Sequence, residues 1–291
     1  MNKESPDLKD WTANLLKQYG IKAGQRMGQH FLIDAQVLED IVDNTKFDWN
    51  IPVLEVGGGF GVLTLALLEQ KVKVVVVELD KKLVVGLQKL SRVSSSLQVV
   101  EGDVLKISDA VLQKHLNIKI DEPFIIVANL PYEISGKFLR RFLGGAWRPQ
   151  TMTLLLQKEV GERLVASPGQ MSLLSLQTQL ATKKAEIVRL IPPTAFWPAP
   201  KVESCLIKLE LKSSLERNNF LTDEQENQLW RLARIGFAAR RKVLINNLLS
   251  ALSLTRVEME NVFVEALVPI SARAQELSLE QWKKLAKLLA K

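Results

Sequence analysis

Cysteine is almost absent. Cys205 stands alone, so no disulfide can form within the chain, and a reducing, cytoplasmic setting is expected. Histidine is nearly as scarce, and His30 and His115 beside one thiol make no structural zinc site, so no metal is expected. The longest apolar runs stop far short of the roughly 20 residues that a membrane-spanning helix needs, so no membrane partner is expected. The opening stretch MNKESPDLKDW mixes acids and bases without the apolar segment of a secretory signal. No internal repeat or low-complexity tract is visible.

What is present is the balance of an ordinary globular protein, 47% hydrophobic and 24% charged. A length of 291 residues suffices for one large domain and a small one with a full core. The net charge of +7 suits a polyanionic partner such as nucleic acid, although many basic proteins bind none.

The stretch that organises the chain is Val53-Leu54-Glu55-Val56-Gly57-Gly58-Gly59-Phe60-Gly61, an apolar strand running into a glycine-dense turn and then the helical pattern Val62 to Leu68. Glycine lets a backbone bend tightly and approach a ligand with no Cβ in the way. A dinucleotide site wants G-x-G-x-x-G, and the third glycine would fall on Val62. What stands here is G-x-G-x-G preceded by the acid Glu55, the variant found in S-adenosylmethionine-dependent methyltransferases. A purely structural tight turn is the plain alternative.

The pattern around this turn is a regular alternation. A helix is expected around Trp11 to Tyr19, then a basic stretch with Lys22, Gln25 and Arg26, then a helix capped by Asp34. Apolar runs at 51–56, 72–77, 97–100, 124–128 and 151–156 read as buried parallel strands, and 185–190 and 204–211 as closing strands. Helical patterns follow at 62–68, 81–90 and 159–165. Glu78, at a strand tip about twenty residues past Gly57, is placed to accept both ribose hydroxyls, or merely marks the strand's wet end. Asp103, past the next strand, could accept from an adenine amino group, or is a common loop acid. Such alternation implies an α/β, Rossmann-like doubly wound sheet over residues 1–211, with an N-terminal extension at 1–28. From 212 to 291 only helical patterns remain, at 222–252, 256–267 and 278–289, and a small all-helical domain is expected.

Asn129-Leu130-Pro131-Tyr132 at the fourth strand end carries the chemistry. An exocyclic purine amine is a poor nucleophile because its lone pair is delocalised into the ring. Two acceptors that hold both N–H bonds favour the pyramidal, positively charged transition state. The side-chain oxygen of Asn129 and the main-chain carbonyl of Leu130 suit that role. Pro131 stiffens the turn, and Tyr132 offers a face on which a flipped base stacks. In isolation the motif is also a plain strand-ending turn. The glycine turn, Glu78 and Asp103 at earlier strand ends favour the chemical reading.

Together these residues resemble the small-subunit (16S) ribosomal RNA adenine dimethyltransferases, the kasugamycin-sensitivity (KsgA/RsmA) family, over nearly the whole chain. Gly28-Gln29-His30-Phe31-Leu32 resembles the family's N-terminal motif, Glu55 to Gly61 its cofactor loop and Asn129 to Tyr132 its catalytic motif. Phe196-Trp197-Pro198-Ala199-Pro200-Lys201-Val202-Glu203-Ser204 resembles its F-x-P-x-P-K-V-x-S loop, and Phe237 to Asn247, with Arg240-Arg241-Lys242, the start of its helical domain. The resemblance implies a class I methyltransferase that methylates two neighbouring adenosines near the 3′ end of 16S rRNA twice each, in the assembling small subunit, as a monomer. It implies that S-adenosylmethionine is held by His30, Leu32, Glu55, Gly57, Gly59, Gly61, Glu78, Asp103 and Asn129. Position 30 usually carries Asn in the family, and His30 leaves its backbone groups to serve. Gly58 and Phe60 stand where Pro and Leu are typical. Phe196 is implied as a second aromatic clamp on the target base, with a core phenylalanine as the alternative.

For RNA, Lys201 in that loop and Arg231, Arg234, Arg241 and Lys242 on one helical face form a candidate phosphate-contacting set, or a solvated basic face. Arg240 falls off that stripe toward the apolar side. The nearest rival is the erythromycin-resistance type of 23S rRNA adenine methyltransferase. A non-catalytic assembly or transcription factor keeping the fold is another, and a nicotinamide dehydrogenase a distant one.

Overall fold

The structure is a computed structural model that describes residues 8–20, 29–213, 216 and 221–290. Its chain separates into two compact units, residues 1–161 with 184–211, and residues 162–183 with 212–291. This differs from the expected division at 211 in one segment. Residues 162–183 cluster with the C-terminal helices because Met171, Leu176 and Leu180 are buried in the core those helices build. Gly169 and Met171 N–H groups also donate to the Gln275 carbonyl at 2.8 and 3.1 Å.

The first unit begins with helix α1 (Leu8–Tyr19), the short strand β1 (Phe31–Leu32) and α2 (Ala35–Asn44). Asp34 caps α2 as expected, accepting from Gln36 and Val37 N–H. There follow β2 (Val53–Val56), α3 (Val62–Glu69), β3 (Val74–Glu78), α4 (Lys81–Ser91), β4 (Leu97–Glu101), α5 (Asp109–Leu116), β5 (Ile125–Asn129), α6 (Ser135–Gly144), β6 (Thr151–Gln157) and α7 (Lys158–Leu164). A seven-stranded sheet takes the order β4-β3-β2-β5-β6-β9-β7, with β7 at Thr182–Ile191 and β9 at Ser204–Leu211. Its first five strands are parallel, and β9 runs antiparallel to β6. Residues Val74 to Val77 are buried throughout, which is why that strand reads as an unbroken apolar run.

From β2 the chain moves outward through β3 to β4, then returns to pair β5 on the other side of β2. The reversal between β2 and β5 opens a crevice at the carboxyl ends of both strands. Above it, β1 pairs antiparallel with β8 (Phe196–Trp197), Phe31 opposite Trp197 and Leu32 opposite Phe196. Two-residue strands carry no sequence period, and neither was expected.

The second unit contains α8 (Leu173–Ala181), α9 (Asp223–Ala238), α10 (Leu244–Leu249), α11 (Arg256–Glu265) and α12 (Leu279–Leu289). Reciprocal capping boxes start α8, α9, α11 and α12, at Ser172/Ser175, Thr222/Gln225, Thr255/Glu258 and Ser278/Gln281. The single helical run expected over 222–252 is broken. Ala239 leaves helical geometry at φ −131°, ψ 65°, and the next helix starts only after Val243. Trp282 and Phe237 pack with ring centroids 5.7 Å apart, and a Cβ on Gly236 would come within 3.0 Å of the Trp282 ring. Among the described residues no helix is long and apolar enough to cross a membrane.

Candidate active site

The crevice holds a cavity of about 220 Å³. Its wall is built by the glycine turn, the tips of β3 and β5, the loop after β4, strand β1 and Thr12 of α1. Gly57, Gly59, Glu78, Asp103, Asn129, Leu130, Pro131, Tyr132, His30 and Leu32 all line it. Three of the expected cofactor-binding and catalytic residues, Glu55, Gly61 and Phe196, do not.

Glu55 sits mid-strand between Val76 and Val127 and is 0% exposed, beneath the turn and off the cavity wall. Neither carboxyl oxygen has a hydrogen-bond partner, and the nearby Thr64 hydroxyl is orphaned too. Burial pushes the Glu55 carboxyl up to about 8, the proximity of Thr64 offsets part of that, and the Glu78 charge adds to it. Glu55 is thus mostly an uncharged acid at neutral pH.

Gly61 serves the fold. It caps α3 at φ +89°, and a Cβ there would meet Leu90 Cδ1 at 2.7 Å. Gly58 is similarly tight, its added Cβ falling 2.4 Å from Val76 Cγ2. Gly57 and Gly59 differ, since both take left-handed φ values (+77° and +56°) with only ordinary contacts around a Cβ. Their backbone conformation, rather than crowding, calls for glycine, and it turns the main chain of the loop onto the cavity.

Phe196 is 2% exposed and packs in the core with Leu32, Leu206 and Ile191. Its strand explains the outcome. Alternation in β8 sends Phe196 inward and leaves Trp197 42% exposed. Phe196, the residue implied as a clamp on the base, is therefore absent from the cavity wall.

Glu78 is held tightly. Its Oε1 accepts from Leu79 and Asp80 N–H at 2.8 and 2.9 Å, and its Oε2 from Gly59 N–H at 3.0 Å. Burial still pushes its carboxyl above the ordinary value, against the pull of those three donors. A carboxylate has about four acceptor positions. Three are taken, so one on Oε2 remains for a ligand hydroxyl, where two had been expected. Asp103 keeps Oδ1 for Leu105 N–H at 2.9 Å, while Oδ2 lies 3.7 Å from exposed Lys106 Nζ.

At the tip of β5, Asn129 Nδ2 donates to the His30 carbonyl at 3.0 Å. Only an N–H can serve that carbonyl, so the amide orientation is fixed and Oδ1 is the acceptor left over. His30 itself is engaged on both counts. Its carbonyl holds Asn129, and its Nδ1–H donates to Pro198 O at 2.6 Å. The Tyr132 hydroxyl is 2.7 Å from Ser204 Oγ, and its ring lies 5.4 Å from the His30 ring at a tilt of 31°. Burial raises the Tyr132 hydroxyl above its ordinary value, so the group stays protonated.

Sequence reasoning passed over Thr12, Gln29, Phe31, Phe60 and Glu133, which also line the cavity. Gln29 and Phe31 lie inside the N-terminal motif, while Thr12 on α1 bears no local signal. Gly28, Lys22, Gln25 and Arg26 lie outside the described residues. Among the described residues no group of three or more metal-ligating side chains gathers.

Of the basic residues, Lys201 is exposed in the loop between β8 and β9 of the first unit. Arg231 and Arg234 are exposed on α9 of the second. Arg241 and Lys242 lie beyond the end of that helix, so the four do not share one helical face. Arg240, expected to turn toward apolar surroundings, is exposed with them.

A family model described as ribosomal RNA adenine dimethylase matches residues 20–291. A ribosomal RNA small subunit methyltransferase A from Dehalococcoides mccartyi (strain CBDB1) is 34% identical over 97% of this chain and 93% of its own length. Another of that name, from Clostridium botulinum (strain Kyoto / Type A2), is 33% identical over 94% of this chain and 97% of its own. Among solved structures, the 23S rRNA methyltransferase ErmE matches with a TM-score of 0.71 and 24% identity, over 90% of this chain and 100% of that one. A dimethyladenosine transferase from Plasmodium falciparum matches with a TM-score of 0.71 and 24% identity over 88% and 96%. At that identity the two structures speak for the fold alone.

Proposed function

Because the chain belongs to the ribosomal RNA adenine dimethylase family and is a methyltransferase drawing on S-adenosylmethionine, we propose that it dimethylates the N6 amines of two adjacent adenosines near the 3′ end of 16S rRNA. Its setting is the cytoplasm and its substrate the assembling small subunit. The residues around the cavity fit the methyl donor. Gly57 and Gly59 clear the main chain of side chains, Glu78 Oε2 has one acceptor position for a ribose hydroxyl, and Asp103 Oδ2 suits an adenine amino group. When bound, S-adenosylmethionine supplies an electrophilic methyl group on a sulfonium.

The observation that carries the reading is the bond from Asn129 Nδ2 to the His30 carbonyl, which leaves Oδ1 as a fixed acceptor at the tip of β5. Asn129 Oδ1 and the Leu130 carbonyl hold the two N–H bonds of the target amine and stabilise the positive charge that develops there. No strong base is required, since the amine's proton turns acidic once the fourth bond forms. A second transfer needs only one acceptor for the N–H that remains. Tyr132 offers its ring to the extruded base. Lys201, Arg231, Arg234, Arg240, Arg241 and Lys242 supply cations for phosphate contacts to an RNA read by shape and backbone.

The test is incubation with S-adenosylmethionine and either undermethylated 30S particles or 50S particles, followed by mass spectrometry of the nucleosides and primer extension. Two adjacent N6,N6-dimethyladenosines in the small-subunit RNA are expected. Modification of the large-subunit RNA instead, or of neither, would overturn the proposal.

A further inference from the structure

Thr12 lines the cavity and carries a buried hydroxyl with no partner. The residue is 0% exposed, sits in the middle of α1, lines the cavity wall, and its Oγ1 has no hydrogen-bond partner. A helical threonine normally satisfies itself by bonding back to the carbonyl four residues earlier. This chain does so elsewhere. Thr45 bonds to Ile41 O at 2.7 Å, Thr178 to Leu174 O at 2.8 Å and Thr182 to Thr178 O at 2.8 Å. Thr12 does not. Of the residues that carry a buried, unpartnered side-chain polar atom among those described, Thr12 is the one that lines the cavity.

The position is held from both sides along the helix. One turn earlier, Lys9 Nζ lies 5.7 Å from the Trp197 ring, and one turn later Leu16 packs with Phe31 and Leu83. We infer that Thr12 is a ligand-binding residue whose hydroxyl donates to the carboxylate at the amino-acid end of the methyl donor. This rests on reading the cavity as the donor's site.

Elimination within the wall gives the assignment. Glu78 and Asp103 suit the nucleoside end, and Asn129 to Tyr132 suit the end where the methyl group is delivered. The amino-acid end remains, and it carries a carboxylate. Among the described residues of the wall there is no lysine or arginine, and Glu78, Asp103 and Glu133 are all acids. A carboxylate placed there has to be satisfied by neutral donors, and the unused hydroxyl of Thr12 is one.

Calorimetry on the full chain separates this role from packing. The ligands are S-adenosylhomocysteine, which keeps the amino-acid part, and 5′-methylthioadenosine, which lacks it. Thr12→Val preserves shape and is expected to weaken S-adenosylhomocysteine about tenfold or more, while 5′-methylthioadenosine binds as it does to the wild type. Thr12→Ser restores the homocysteine-containing ligand to within about twofold of wild type. Equal weakening of both ligands, or unchanged affinity for S-adenosylhomocysteine in Thr12→Val, overturns the inference and leaves the donor site standing. A wild-type chain that binds neither ligand overturns the donor site itself, and the inference with it.

Discussion

Asn129 and His30 are joined by a hydrogen bond of 3.0 Å from a side-chain amide to a main-chain carbonyl, tying the tip of β5 to the residue before β1 across 99 positions of sequence. The bond does more than position the residue, because it decides which end of the amide faces a substrate. Asn129→Ala removes an acceptor of the target amine and should lower single-turnover methyl transfer by about 10²- to 10³-fold. S-adenosylhomocysteine binding should weaken only a few-fold. Asn129→Asp is expected to fail as well, since a carboxylate faces the His30 carbonyl without a donor between them. Near-normal turnover in either variant would refute the role.

Glu55 makes stability depend on pH in a definite direction. Its folded value of about 8 lies above the ordinary 4.5, so the folded chain keeps a proton that the unfolded chain has lost. Stability therefore falls as pH rises from about 4.5 and levels off past about 8. Glu55→Gln removes that dependence. Its stability relative to wild type should improve between pH 5 and pH 9 by a few kcal/mol. Glu78, also raised, adds a slope of the same sign to both proteins, so the difference between them is the informative quantity. Thermal melts of the pair at pH 5, 7 and 9 measure it, and a constant difference would contradict the assignment.

The parts of the fold legible in the sequence are those with a local cause. Val74 to Val77 reads as a buried strand because both its faces are covered, and Glu78 and Asn129 fall where parallel strands end. What was not legible depends on partners far along the chain. Glu55 and Gly57 are two residues apart, yet one lies under the turn and the other on the cavity. Phe196 and Trp197 are adjacent aromatics, and only pairing with β1 decides which faces inward. The break after Ala238 has no proline to announce it, and Asn247 Nδ2 reaches back to the Gly236 and Ala239 carbonyls at 3.4 Å from the next helix. Leu176 and Leu180 look like any apolar helix face, and their place with the C-terminal helices is a tertiary fact.

Phosphate binding announces itself through salt. Arg231 and Arg234 are exposed one turn apart on α9, and their replacement together by Gln should weaken binding to small-subunit RNA. The slope of log affinity against log salt should become shallower by about one to two units, one for each phosphate that is no longer neutralised. Fluorescence anisotropy over a potassium chloride series measures both quantities. An unchanged slope would assign the two arginines to a solvated face.

Tyr132 carries two separable functions, a ring and a hydroxyl. The hydroxyl is 2.7 Å from Ser204 Oγ, and Ser204 is buried, so Tyr132→Phe should cost about 1 kcal/mol of stability. The ring persists in that variant, and kcat/KM for RNA should remain within a few-fold of wild type. Tyr132→Ala removes the stacking face, worth about 1–3 kcal/mol, and should lower kcat/KM by about 5- to 150-fold while S-adenosylhomocysteine binding changes little. Because the hydroxyl stays protonated well past neutrality, the activity of Tyr132→Phe relative to wild type should not vary between pH 6 and pH 9. A phenylalanine variant as impaired as the alanine one would mean that the hydroxyl, through Ser204, rather than the ring is what the reaction needs.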